Sequence, residues 1–440
     1  MTVCPIETRY KSKLNSVFDQ ENILKKWLAV EVALAKAHAA VGNIPPQALD
    51  EIQEGATKVK LNRVLEIEEQ IHHDLMAMVK ALDEQCPNYG GFVHLGATSY
   101  DIEDTALGLI LKEAIDVIVE DIDNVCKSLE NIIIQKKSLV CVGRTHGQHA
   151  VPTTYGMVFA NYLDQLKRAK KILLNSKEYV CVGKMSGAVG TMATFGPKAF
   201  EIEKLVLKEL DLKPASISTQ VVSRDRHAYF LFSLSLIAAV LEQIAKDIRN
   251  LSRPEIRELA EGFSKDQVGS STMPHKRNPH KSERICSLAR VLRANLLVGL
   301  ESIALEHQRD LTNSASERLV LSHSAILVDY MLQQMNLILK NLEFYPENIK
   351  RNLELTKGAI LSERVMIALA NAGLSRQQAH ELLRLASMEA EQKNLSLFEV
   401  LSKNKTVLQY IKKDKLKELF DYSTYIGQAE KIIQRVLEEK

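Results

Sequence analysis

The segment from Gly262 to Glu283, GFSKDQVGSSTMPHKRNPHKSE, concentrates more reactive side chains than any other stretch of the chain. Its Gly269-Ser270-Ser271 run is small and offers two hydroxyls, and His275, Lys276, Arg277, His280 and Lys281 make it the most basic segment. Hydroxyls on a flexible tip with cations beside them suit a lid that closes over an anionic substrate, where positive charge meets negative charge developing in a reaction. A nucleic-acid contact is the rival reading, but no aromatic interleaves these cations. A second cluster, GRTHGQHAVPTT at Gly143–Thr154, sets His146 and His149 at H-x-x-H spacing between a β-like run and a long helix. That spacing could serve a metal, but it lacks the adjacent glutamate of a zincin, so no metal is expected. A third, His72-His73-Asp74, falls inside a helical pattern with Ile71, Leu75, Met78 and Val79. Adjacent imidazoles cannot both face one core, and an exposed, solvated pair is the plain reading.

Long helices must position these clusters. No proline lies between Pro87 and Pro152, between Pro214 and Pro254, or between Pro279 and Pro346, and such stretches permit long helices. Leu107, Leu111, Ala114, Ile118, Ile122, Val125, Leu129 and Ile132 recur at three- and four-residue steps, a stripe along one helix face. Thr98 and Ser99 can cap that helix, and Asp101, Glu103 and Asp104 suit the positive end of its dipole. Similar patterns cover about 154–175, 200–210, 224–251, 282–308 and 316–341. Ser375…Gln378 and Ser396…Glu399 have capping-box spacing. Only Leu139–Val142 and Tyr179–Val182 look like strands. The expected fold is all-α, with three helical domains at 1–97, 98–350 and 351–440, the central one a long-helix bundle carrying a lid loop at 262–283.

The bulk numbers narrow the function. Across 440 residues, 57 Lys+Arg against 55 Asp+Glu give a net charge of +2, without the basic excess of a nucleic-acid or anionic-membrane binder. No signal peptide is expected, and the apolar stretch Tyr229–Leu241 is too short to cross a bilayer. Six scattered cysteines without a C-x-x-C pair fit free thiols in a cytoplasmic protein. Gly183, Gly187 and Gly190 do not have G-x-G-x-x-G spacing, so no dinucleotide cofactor is predicted.

GSSTMPHKRNP resembles the signature loop of the fumarase/aspartase superfamily, all-α lyases that release fumarate. TSYDIEDTAL at Thr98–Leu107 and GRTHGQHAVPTTYG at Gly143–Gly156 resemble two further superfamily motifs, in the same order. Arg9-Tyr10, His73-Asp74, VHLGATS at Val93–Ser99, ISTQ at Ile217–Gln220, RDRH at Arg224–His227 and the run Arg309–Arg318 extend the likeness end to end, toward the adenylosuccinate lyase branch. The resemblance implies β-elimination of fumarate from adenylosuccinate, giving AMP, and from the succinyl-carboxamide ribotide SAICAR, giving AICAR, with no cofactor.

By the same resemblance Ser270 is the base, His146 the general acid, Glu283 the partner that orients or charges a histidine, and His73 lies near the reacting centre with Asp74 fixing its tautomer. Lys276 and Asn278 hold the succinyl carboxylate. Arg9, Tyr10, Ser314 and Arg318 form a phosphate clamp, and Thr98, Ser99, Gln220, Arg284 and Arg309 add substrate contacts. His72 stands where many relatives carry arginine. The resemblance also implies a homotetramer whose active sites gather motifs from three chains, and the α-helical stripe at Leu107–Ile132 is expected to supply apolar face for it. Rival readings are argininosuccinate lyase, 3-carboxymuconate cycloisomerase, a metal-dependent HD-type phosphohydrolase suggested by His73-Asp74, and a non-catalytic helical scaffold.

Overall fold

The computed structural model describes residues 4–263 and 272–439. Among them the chain is helical, with only short strands. The helices are α1 (Gln20–Ala40), α2 (Pro46–Ala56), α3 (Leu61–Ile71), α4 (Asp74–Asp83), α5 (Ser99–Lys136), α6 (Tyr155–Val180), α7 (Ala199–Glu209), α8 (Asp225–Leu251), α9 (His280–Glu301), α10 (Ser314–Lys340) and α11 (Pro346–Glu354), with further helices between Ser362 and Glu438. The strands are β1 (Val140–Thr145), β2 (Gln148–Thr154), β3 (Val182–Gly183), β4 (Lys213–Pro214), β5 (Leu259–Ala260) and β6 (Glu343–Phe344). Two compact units emerge. One comprises Met1–Asp123, Arg168–Glu242 and Ile285–Gln334, and the other Asn124–Lys167, Gln243–Arg284 and Met335–Lys440.

In the first unit, α1 to α4 and α7 enclose a core that includes Leu34, Ile52, Leu75, Met78, Leu82 and Ile202. The helical pattern through His72-His73-Asp74 is broken, contrary to the sequence expectation. His72 takes the left-handed conformation (φ 55°) that ends α3, and His73 becomes the N-cap of α4. His73 Nδ1 accepts from the Met76 backbone N–H at 3.4 Å, and Asp74 sits in the first turn, where its charge suits the dipole. Both histidines are exposed.

The start of α5 is tied down more firmly than a dipole requires. The Thr98 N–H donates to Asp101 Oδ2 at 2.9 Å, the reverse half of a capping box. Asp101 Oδ1 receives Lys184 Nζ at 2.5 Å and the Ser186 N–H at 2.8 Å, all buried. Asp104, one turn on, meets Arg224 Nη1 at 2.9 Å. These acids are therefore buried ion-pair partners: removing Asp101 would take the carboxylate from the buried Lys184, and removing Asp104 would leave Arg224 to Glu317 alone.

In the second unit, β1 and β2 form an antiparallel hairpin. The sequence places residues 143–154 in a loop. Instead the strands extend to Thr145 and from Gln148, leaving His146 and Gly147 as the whole turn, both with positive φ (53° and 73°). That is the backbone of a tight type I′ hairpin turn, whose twist matches its strands. Val142 at the hairpin's base packs with Leu353, Ile360 and Leu361. The second β-like run is also revised: Tyr179 and Val180 close α6, and only Val182–Gly183 pairs, in parallel with Lys213–Pro214.

Helix α9 stops at Glu301, short of the expected 308. Ser375 caps its helix by accepting from the Gln378 N–H, and Ser396 with Glu399 forms a full capping box. Helix α8 is long and apolar enough to cross a bilayer, longer than the stretch the sequence singles out, but 72% of its apolar window is buried within the protein. It is a core helix. The α5 stripe is likewise covered by the chain itself, from Leu111 to Ile132, so it offers no free face to a partner. The apolar side chains left open are elsewhere, among them Leu297 at 64% and Leu300 at 49% exposure on α9, and Leu319 at 57% on α10.

Gly108 in α5 marks a close approach, because a Cβ there would lie 2.4 Å from the Val182 carbonyl oxygen. Alanine favours helix over glycine by about 0.5–1 kcal/mol, whereas overpacking a buried site costs roughly 1–3 kcal/mol. Gly108→Ala should therefore lower the melting temperature at fixed protein concentration. A rise would mean that β3 yields without strain.

Candidate active site

A cleft of about 360 Å³ opens in the first unit. Its polar wall is Asp74, Tyr100, Glu103, Asp104, Arg224, Ser314, Glu317 and Arg318, and its apolar wall includes Trp27, Leu61, Val64 and Leu321. Three expected substrate contacts, Asp74, Ser314 and Arg318, thus share one cavity. Arg318 pairs with Asp74 Oδ2 across α4 and α10. Burial raises the Asp74 carboxyl, but the Arg318 guanidinium outweighs it and holds the group below the usual carboxylate range. For Glu103 the balance is reversed: burial, then the nearby Asp74 charge, outweigh the pull of Arg318 and Arg309 and push it up to about 8. The cleft therefore holds an acid that is largely neutral at pH 7 beside a guanidinium.

Tyr100 links this cavity to two further expected contacts. The Arg309 guanidinium lies 3.6 Å from the centroid of its ring, and Ser314 hydrogen-bonds its phenol. Arg309 Nη1 donates to Gln220 Oε1 at 3.1 Å, while its Nε and Nη2 are buried with no acceptor among the described residues. Unsatisfied buried donors on a cation are costly, and an anionic ligand would satisfy them. Thr98 and Ser99 lead directly into Tyr100 at the start of α5. Arg9 and Tyr10 are not among the residues lining the cleft. Arg9 is exposed, and Tyr10 packs edge-on against Tyr330 with centroids 5.5 Å apart.

Behind the cleft runs a buried charge network. Arg224 joins Asp104 at 2.9 Å through Nη1, and its Nε lies 3.1 Å from Glu317 Oε2 without hydrogen-bond geometry. Burial alone would ease the proton off Arg224, but Asp104 and then Glu317 overcome it and hold the guanidinium charged. Glu317 also accepts from Asn313 Nδ2 at 2.6 Å and contacts His227 Nδ1 at 2.9 Å. These bonds keep Glu317 ionised despite burial. They also fix the turn of α10 that carries Ser314 and Arg318.

The second unit holds the remaining candidates. His146 is exposed at the hairpin turn, in a left-handed conformation that histidine tolerates better than most residues. His149, opposite Arg144 in the register, has a buried Nδ1 with no partner among the described residues. Burial, then the Arg144 charge, lowers its pKa. Ser270 lies outside the described residues. Lys276 is exposed in a turn closed by its N–H to the Met273 carbonyl at 3.0 Å. Asn278 is half-buried; Glu283 and Arg284 fall in the first turns of α9, Glu283 exposed. Among the described residues no group of three or more His, Cys, Asp or Glu is placed to hold a metal ion.

Sequence reasoning missed Tyr100, Arg224, His227 and Glu317 as parts of the site, and read Glu103 and Asp104 only as dipole partners. A signal existed in the spacing of Asp101 and Asp104. Acids one turn apart share a helix face, and a face that is otherwise apolar there must meet buried cations.

With that geometry in place, comparison with known proteins gives the lineage. A lyase family model matches residues 8–293, and an adenylosuccinate lyase C-terminus model matches 358–436. The chain is 51% identical to the adenylosuccinate lyase of Pyrococcus abyssi, covering 99% of this chain and 98% of that one, and 38% identical to that of Bacillus subtilis, covering 98% and 99%. Among solved structures, a fumarate lyase from Mesorhizobium sp. BNC1 superposes with TM-score 0.90 at 28% identity, over 97% of this chain and 98% of that one. The 3-carboxy-cis,cis-muconate lactonizing enzyme of Pseudomonas putida gives 0.89 at 30%, over 98% of each. The shared fold alone leaves the cycloisomerase open, but the higher identity over the full length and the branch-specific C-terminal block do not: the chain belongs to the adenylosuccinate lyase family of fumarate-releasing lyases.

Proposed function

We propose that this lyase eliminates fumarate from adenylosuccinate to give AMP, and from SAICAR to give AICAR. The observation that carries the substrate class is the cleft lined by Ser314 and Arg318, whose Tyr100 wall is stacked by Arg309, a cation with two buried donors that find no acceptor among the described residues. Planar guanidinium donors suit phosphate and carboxylate oxygens, which these nucleotides supply at both ends. In this reading Ser314 and Arg318, with Arg9 and Tyr10, bind phosphate. Gln220, Arg309, Thr98, Ser99, His72, Asp74 and Arg284 contact the rest of the substrate.

The chemistry needs three provisions. Ser270, as alkoxide, takes a proton from the succinyl carbon next to a carboxylate, which forms a carbanion whose extra charge spreads onto that carboxylate. Lys276 and Asn278 bind the carboxylate and stabilise this charge. His146, protonated, gives its proton to the amine nitrogen as the C–N bond breaks and fumarate forms. Glu283 and His73 tune the histidine charge and the substrate pose. The enzyme works in the cytoplasm, in keeping with cysteines that form no disulfide.

Incubation with adenylosuccinate should yield fumarate and AMP in equal amounts; turnover of carboxymuconate or argininosuccinate instead would overturn the assignment. Arg318→Ala should raise KM for both nucleotides, by about 1.5–3 kcal/mol of lost charge-assisted binding. Phosphate-free nucleoside analogues should lose much less, and an equal loss would place Arg318 away from phosphate.

The assembly we propose is a D₂ homotetramer with each site built from three chains. Its support is the family and the open leucines Leu297, Leu300 and Leu319, not the covered α5 stripe. Ser270→Ala and His146→Ala proteins, each reduced to a small residual activity on adenylosuccinate, should regain part of the activity when dissociated and reassembled together. No such gain in tetramers demonstrated to be mixed would mean that each site is built within one chain.

A further inference from the structure

Glu258 is fully buried, yet no step assigned above uses it. Its carboxylate accepts from three donors on three elements. Arg144 Nη2 comes from β1, the Tyr155 hydroxyl from the first residue of α6, and Asn352 Nδ2 from α11 at 2.9 Å. The backbone around it is equally fixed, since the Glu258 carbonyl accepts from the Tyr345 N–H at 2.9 Å and Asn352 Nδ2 also donates to the Ile256 carbonyl at 2.8 Å.

Two of these donors bracket the hairpin. Arg144 precedes His146 by two residues on the outgoing strand, and Tyr155 follows the last residue of the returning strand. Beyond Arg144 the tip has only the pairs Arg144↔His149 and Thr145↔Gln148, and the register shifts between Val142 and Arg144. A ladder interrupted there is a joint about which the tip can swing. Apolar contacts such as Val142 on Leu353 fasten the base, but they are not directional. Bonds from one buried carboxylate to both ends of the hairpin are directional, and they span that joint.

We propose that Glu258 is a positioning residue for the reaction: through Arg144 and Tyr155 it holds the hairpin at the angle that presents His146 to the departing nitrogen. The inference rests on the general-acid role given to His146 above. A catalytic group displaced by about 1 Å can lose on the order of 10²-fold in rate. Glu258→Gln keeps the shape and removes the charge that orients Arg144.

The test measures kcat and KM of Glu258→Gln and of His146→Ala on substrates whose leaving amines differ in basicity, with melting temperature as the check on folding. Glu258→Gln should lower kcat by on the order of 10²-fold with KM little changed. Its loss should shrink as the leaving amine becomes a weaker base, following the trend of His146→Ala. Tyr155→Phe, which removes one of the three donors and no charge, should show a smaller loss with the same trend, and it carries the test if Glu258→Gln does not fold. Unchanged kcat, a loss seen mainly in KM, or an equal loss across all leaving amines while His146→Ala shows the trend would overturn the proposal. Absence of the trend in His146→Ala itself would instead remove the acid assignment on which it rests.

Discussion

The charge on Arg224 is the constraint from which the substrate cleft follows. It lies in the wall of the cleft, 3% exposed, where an unpaired guanidinium would be untenable. Asp104 of α5 and Glu317 of α10 must come to it, and Glu317 in turn engages His227 and Asn313. Once those partners are in place, the neighbouring side chains have little freedom. Tyr100, one turn before Asp104, lies under Arg309, and Arg318, the residue after Glu317, reaches Asp74. Replacing one member would unbalance the rest, because a buried charge would lose one of its counter-charges.

What is legible in the sequence follows from which forces are local. The presence of long helices, the Ser375 and Ser396 caps and the all-α class depend on periodicity and on side chains within four residues, so they are legible directly, whereas helix ends such as Glu301 of α9 are not. Nor are the tertiary partners of Asp101 and Asp104. A carboxylate in a first turn satisfies the dipole argument whether or not a lysine from residue 184 arrives to meet it. The break at His72 was hidden for a similar reason. Apolar residues continue at helical spacing on both sides, and only the left-handed His72 backbone with the His73 cap separates α3 from α4.

The hairpin shows how composition misleads in the opposite direction. Two glycines and a proline between Gly143 and Thr154 suggest an irregular loop, yet each is compatible with a strand margin or a turn. Gly147 supplies the second positive φ of the turn. Pro152, which lacks a donor, sits opposite Val142 where the register is about to shift. His146 is the residue that fits least well, since asparagine or glycine would occupy that left-handed position at lower cost.

The same contrast between local and distant forces governs which surfaces remain open. Length and stripe on α5 suggest an unpartnered face, but the stripe is covered by the chain's own elements, while α9 and α10 are among the helices that leave leucines in solvent. Amphipathic periodicity says that a face must be covered, not by what. Helices α9 and α10 each leave an apolar part of their surface open, at Leu297, Leu300 and Leu319. An assembly built on those faces would bring α9, which begins within the basic signature segment, and α10, which carries Ser314 and Arg318, into the contact between chains. Substrate binding and association would then draw on the same two helices, so a change that loosens either helix should be felt in both.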